Sequence, residues 1–350
     1  QQDRPWEIAL VNLQDLLRPL DIFRKLTGIP LEDIYNLMLA KGWTLGAGLG
    51  LRAIHAAIRT YHRATVRLLE KYWNETQPDL VVSLVPNFNR EMREALAAAR
   101  PGIPFVTILT DFADYPPHFW IEEQKQYFIC GTDKAVEQAR ALGHASGHIF
   151  RVSGMILRPG FYESIEVDRG AQRSRLGLDR RLPTGLVLFG GQGSKVMLEI
   201  ARRLDNRQLI FICGRNQRLA EQLRATAAAV PRVIEGFTNE IPYYMDLADY
   251  FIGKPGPGSV SEAVAMKLPV IVESNAWTLP QERYNAEWIR ERGVGIVLPN
   301  FLRIGEAVSM LLGSLEQYRA SVERIENRAV FEIPEILESL LKDARAGGGE

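Results

Sequence analysis

What this chain of 350 residues lacks narrows its class before any motif is read. It has two cysteines, Cys130 and Cys213, far apart and each at the end of an apolar run (QYFIC, LIFIC). That excludes a disulfide-stapled scaffold and predicts two small core side chains in a reducing compartment. It has no excess of charge, 42 Lys and Arg against 42 Asp and Glu. Neither a disordered tail nor a general nucleic-acid binder fits that balance, so no nucleic acid is expected as a partner. No uninterrupted apolar run reaches the roughly 18 residues of a membrane-spanning helix, and no signal peptide is visible. The expectation is a protein that is soluble or lies on a membrane surface. The chain also has few histidines, five in all, no Asp-x-Asp pair and no His/Cys cluster, and so offers no divalent-metal site.

What is present is alternation. Apolar runs of strand length recur at Trp6 to Leu13, Leu80 to Val85, Phe105 to Leu109, Tyr127 to Cys130 and Ile149 to Val152, separated by helical patterns such as REMREALAAAR and TDKAVEQARAL. Such alternation predicts a parallel sheet covered on both faces. The chain opens almost directly on the run WEIALVNL, which reads as a second strand whose first strand and loop are absent. Around SGMILRPGFYE the pattern breaks, as a linker would. A second series follows: LVLFG, QLIFICG, RVIEGF, YFIG, PVIVES and GIVLP. The expected division is 1–153, a linker at 154–165, a second domain at 166–328, and a helix and tail at 329–350 packing back on the first domain.

Residues 19–71 differ. A small-residue stretch, TLGAGLGL, leads into a long helix, LRAIHAAIRTYHRATVRLLEKYW. Arg52, Arg59, Arg63 and Arg67 fall near one face with His55 and His62, and Ile54, Ile58, Tyr61 and Leu68 on another. Two readings stand: a helix packed on the sheet with a solvated basic face, or a surface for anionic headgroups, to which Arg24, Lys25 and Trp43 would add.

Three strand-to-helix openings in the second half are polar and glycine-rich. After LVLF come Gly190, Gly191, Gln192, Gly193 and Ser194, a turn that presents free amides and the positive end of a helix dipole to an anion. Its spacing is neither the dinucleotide fingerprint nor a P-loop. After YFIG come Gly256, Pro257, Gly258 and Ser259, with Ser259 placed as an N-cap and Glu262 one turn into the helix. Glu262 could satisfy the dipole alone or accept from a ribose diol. The third opening gathers Gln281, Glu282 and Asn285.

In combination, GGQGS, then GFTNEIPYYMDLADYFIGKPGPGSVSEAVAMKLPVIV, then QERYNAEWI resemble the donor-binding domain of glycosyltransferase family 28. That group includes monogalactosyldiacylglycerol synthases, processive diacylglycerol glucosyltransferases and the peptidoglycan GlcNAc transferase. VTILTDFADYPPHFW, YFICGTDKAVEQARALG and VSGMILRPGFY are closest to the diacylglycerol-dependent branch. The resemblance implies an α/β GT-B fold, two Rossmann-like doubly wound domains facing across a cleft. It also implies residue roles. Gly191, Gln192, Gly193 and Ser194 would meet a diphosphate, and Phe237 and Thr238 would border uracil. Gly256, Pro257, Gly258 and Ser259 would cradle phosphate and ribose, with Glu262 on the ribose hydroxyls. Gln281 and Glu282 would hold the sugar, and Asn285 would support that turn. No cofactor or metal is implied, since amides and helix termini would stabilise the departing UDP.

The implied activity is inverting transfer of a hexose from UDP-galactose or UDP-glucose to diacylglycerol, on the cytoplasmic face of a membrane to which the protein binds peripherally. The family's base lies on a glycine-rich loop that this chain does not contain. Asp111 and His118 are the remaining acceptor-side candidates, with Asn87 and Asn89 as further residues that would line the cleft. Two other readings stay open: a transferase or epimerase acting on a soluble or other lipid-linked sugar, and a non-catalytic UDP-sugar sensor.

Overall fold

The computed structural model describes residues 4–20, 47–115, 119–163 and 165–347, and the side chains of 20, 47–59 and 347 lie outside that description. Among the described residues two wholly parallel sheets form. The first joins β1 (Val81–Ser83), β2 (Phe105–Ile108), β3 (Tyr127–Cys130) and β4 (Ile149–Arg151) in that order. The second contains β5 (Thr184–Leu188), β6 (Gln208–Ile212), β7 (Arg232–Glu235), β8 (Tyr250–Gly253), β9 (Val270–Glu273) and β10 (Gly295–Leu298). Its order is β10-β9-β8-β5-β6-β7.

The apolar runs explain the second sheet. Every residue of β5 and β6 is buried, which requires cover on both faces. Side chains alternate between two cores because the strand period is two. Leu186, Leu188, Ile210, Ile212, Phe251, Val270 and Val272 enter one, against Val260, Ala263, Val264 and Ile289. Val187, Leu209, Phe211, Tyr250, Ile252 and Ile271 enter the other, against Met197, Ile200, Leu219 and Leu223. Phe211 and Phe251 are fully buried and contribute about 1.5–3 kcal/mol apiece. Cys130 and Cys213 are free, buried thiols inside the cores. Burial pushes them up to about 12 and about 11 respectively.

The run Trp6 to Leu13 is not a strand. It is irregular coil up to a short helix, Leu13–Leu17, with Ile8, Leu10 and Val11 exposed. A strand needs a ladder partner, and among the described residues none pairs with this segment. Instead Arg4 pairs with Glu338 of the C-terminal helix.

The long helix spans Ala47–Thr76. Its described half uses Leu69 and Trp73 as core, packed with Met92, Ala95, Leu96 and Phe105, so the packing reading holds for that face. Arg63 and Arg67 are exposed. His62 leaves the basic face: its Nδ1 lies 2.8 Å from Glu91 Oε1 and its Nε2 2.7 Å from Glu94 Oε2, on the helix Asn89–Ala99. The hydrogen bond to Glu91 is the main reason its imidazole sits above the usual range. Arg24, Lys25 and Trp43, with the side chains of Arg52 and Arg59, lie outside the described residues. No described helix is long and apolar enough to cross a membrane.

The helix Ala329–Gly347 returns to the first sheet, burying Ile333 and Leu340 against Val106, Ile108, Ile129 and Val152. Between the sheets, Ser153 donates from its N and Oγ to Glu332 Oε2 at 2.7 and 3.0 Å, and Asn327 Nδ2 donates to the Met155 carbonyl at 2.8 Å. These bonds fix the crossing points. A T-shaped pair, Phe112 with Trp288 at 4.8 Å, joins the segment after β2 to the helix Arg283–Arg292 of the second domain.

Candidate functional site

The order of the second sheet reverses between β5 and β8, and crevices beyond the C-terminal ends of strands at such a switch point hold ligands. The turn after β5 bends at Gly190 and Gly193, with φ of 74° and 60°. Its carbonyls are tied backwards to the turn after β6: Arg215 N donates to Gly191 O at 2.9 Å, and Asn216 Nδ2 to Gln192 O at 3.2 Å. The amides of Gly191, Gln192, Ser194 and Lys195 have no protein acceptor among the described residues. The tie requires Gly214, whose φ is 60° and whose Cβ would stand 2.2 Å from Gly191 O. Gly214→Ala is expected to destabilise the protein by about 1–3 kcal/mol and to weaken anion binding at this turn; a denaturation midpoint and a phosphate-ligand titration check both.

After β8 the chain runs through Lys254, Pro255 and Gly256 into the helix Pro257–Ala265. The N-cap is Gly256, not Ser259 as expected. Pro257 has the φ of a first helical residue and lacks only an amide that would be unsatisfied there, so the helix starts three residues earlier. Gly256 is extended, with no side-chain cap, and the first-turn amides of Gly258 and Ser259 have no described acceptor. Glu262 is half-buried, and its carboxylate accepts no hydrogen bond among the described residues. Burial holds its carboxyl above the usual range, with Arg158 pulling the other way.

The third opening braces the second. The 3-10 turn Pro280–Glu282 leads into the helix Arg283–Arg292. Asn285 is fully buried and donates from Nδ2 to Pro255 O at 2.7 Å, while its Oδ1 has no partner. Glu282 is buried and paired with Lys254, Nζ to Oε1 2.7 Å. Gln281 is half-buried beside it. Sequence reading passed over Lys254, although a lysine between a buried strand and a Pro-Gly helix start is a legible signal. Among the described residues no group of His, Cys, Asp and Glu gathers as a metal site.

Across the crevice, Asp111 follows β2. Its Oδ2 accepts from Trp120 Nε1 at 2.7 Å. Desolvation pushes its carboxyl up to about 6; the Trp120 bond opposes this, Glu282 adds to it and Lys254 subtracts. Asp111 therefore feels both charges of the opposite domain. His118 lies outside the described residues. Asn89 does not line the cleft: it is fully buried, donates to the carbonyls of Val85 (3.1 Å) and Trp120 (3.4 Å), and accepts from Thr107. Asn87 is half-buried with φ of 72°. On the outer rim, Phe237 is exposed with the Arg215 guanidinium 5.0 Å from its ring centroid, and Thr238 Oγ1 accepts from Glu240 N.

Two parallel α/β domains meeting at such a crevice define the GT-B fold. The structure matches that of Acinetobacter baumannii MurG with a TM-score of 0.57 at 13% identity, over 81% of this chain and 79% of that one. It matches CalG4, the calicheamicin glycosyltransferase, with a TM-score of 0.56 at 17% identity, over 83% and 80%. By sequence the chain is similar to monogalactosyldiacylglycerol synthases. It is 29% identical over 317 residues to the chloroplastic enzyme of Spinacia oleracea, covering 84% of this chain and 59% of that protein. It is 27% identical over 348 residues to monogalactosyldiacylglycerol synthase 2 of Arabidopsis thaliana, covering 91% and 73%. The chain thus spans about three fifths of the length of the spinach relative. No family model matches it. The resemblance read from the three glycine-rich and polar openings therefore holds in both sequence and fold.

Proposed function

We propose that the chain is an inverting glycosyltransferase that moves a hexose from UDP-galactose or UDP-glucose to the hydroxyl of diacylglycerol at a membrane surface. The observation that carries this reading is the switch-point crevice: two sets of unpaired amides and the partner-free Glu262 on one side, and desolvated Asp111 on the other. The diphosphate lies against the amides of 191–195 and 258–259, and Glu262 accepts from the ribose hydroxyls. Phe237 and Thr238 border the uracil, and Gln281 and Glu282 hold the sugar. Asp111 takes the acceptor proton while the acceptor oxygen attacks the anomeric carbon, and the C–O bond to UDP breaks on the opposite face. The negative charge that develops on UDP meets amides and helix N-termini already oriented toward it, so EDTA leaves the rate unchanged.

Sequence relatives named as galactolipid synthases support the lipid acceptor. The exposed Arg63 and Arg67 support a peripheral contact with anionic lipid on the cytoplasmic face. The test is label transfer from UDP-galactose and UDP-glucose, in parallel, to diacylglycerol in anionic liposomes by the full-length protein. Label in the lipid fraction, lost in Glu262→Ala, is the expected result. UDP binding without lipid labelling would move the reading to a soluble acceptor or a sensor.

A further inference from the structure

The side chain of Lys254 lies over the N-cap of the helix Pro257–Ala265. A Cβ on Gly256 would stand 3.2 Å from its Cε and 3.7 Å from its Nζ, so the side chain folds back across the start of that helix. A positive charge there opposes the positive end of the helix dipole. What compensates it is Glu282, buried to 6% exposure, with Oε1 2.7 Å from Nζ. The two partners are unlike in their surroundings: the Lys254 side chain is 44% exposed and that of Glu282 only 8%. One of three ammonium donors is used by Glu282, and no other hydrogen bond of Nζ is described. The remaining donors have no acceptor among the described residues, and Lys254 stands near enough to Asp111 of the other domain to lower its carboxyl. A buried acceptor without a partner, Asn285 Oδ1, lies in the residue that clamps Pro255, next to Lys254 in the chain.

We infer that Lys254 is a diphosphate-binding residue, held over the helix N-terminus by Glu282 and contacting the phosphates of the nucleotide sugar when they arrive. The inference rests on the nucleotide-sugar reading and deepens it. Phosphate neutralises the unfavourable cation at the dipole, and the ammonium adds a charge-assisted hydrogen bond to the amide cradle. Glu282 acts as a positioning residue for Lys254 as well as a ligand-facing carboxylate.

Titration of UDP and of uridine into the wild type, Lys254→Met and Lys254→Arg tests this, by calorimetry for UDP and by NMR for uridine. Lys254→Met is expected to weaken UDP by about 10- to 100-fold and to leave uridine binding unchanged. Lys254→Arg, which keeps the charge, is expected to recover part of the loss. An equal loss for UDP and uridine, or no loss for either, would overturn the inference and leave Lys254 as a brace for Glu282. A wild type that binds neither ligand would overturn the nucleotide-sugar reading, and this inference with it, whereas a wild type that binds UDP separates the two.

Discussion

Asp111→Asn is expected to lower the transfer rate by about 10²- to 10⁴-fold, the range for loss of a general base, while UDP affinity stays as in the wild type. The amide keeps the shape, and its oxygen still accepts from Trp120 Nε1, but it cannot take a proton. The pH profile follows from the same group. Its carboxyl is pushed up to about 6, first by desolvation and further by Glu282, against the Trp120 bond and Lys254. Only the ionised form accepts a proton, so the wild-type rate falls as pH drops through about 6 and is level above it. In Asp111→Asn that acidic limb disappears from whatever rate remains. A variant with wild-type turnover, or a limb still in place, would remove Asp111 from the reaction.

Asp249→Ala is expected to cost roughly 3–5 kcal/mol of stability, the range for stranding a buried charge. Asp249 Oδ2 accepts from Arg173 at 2.7 Å and from Thr184 N at 2.8 Å, and Oδ1 from Arg169 at 3.1 Å and Arg319 at 3.0 Å. Arg169 and Arg319 are about a third exposed and hydrated enough to lose little. Arg173 is buried at 6%, so the loss falls mainly on it. This network sits at the N-terminal end of β8, opposite the crevice, so the effect belongs to the folding midpoint and not to the affinity for UDP in the folded fraction. A change under about 1 kcal/mol in a denaturant titration would mean that water reaches Arg173.

The two-sheet architecture was legible because its strands are short apolar runs buried on both faces, and a run such as QLIFIC admits few other readings. WEIALVNL misleads for a physical reason: strand propensity is local, whereas a strand exists only where a neighbouring edge accepts its hydrogen bonds. The donor-side turns were legible as glycine-rich, polar helix openings. Their bracing was not, since the bond from Asn285 to Pro255 joins positions 30 apart. Ser259 illustrates a rule outranked by another: serine is a good N-cap, but the fixed φ of Pro257 starts the helix first. Asn89 and His62 share a different blindness. Their partners, Trp120, Glu91 and Glu94, come from other elements, and nothing in the helical periodicity announces them. An isolated lysine reads as surface, so Lys254 is marked in the sequence only by its place between a buried strand and a Pro-Gly helix start, and its hold by Glu282 is seen in the structure alone.

The most direct test of the central claim is an experimental structure of the protein with UDP. The account predicts a diphosphate between the ends of β5 and β8, its oxygens within hydrogen-bond distance of the amides of 191–195 and 258–259. The ribose hydroxyls would lie on Glu262, and the uracil beside Phe237. UDP seated elsewhere, or an empty crevice at saturating UDP, would contradict it.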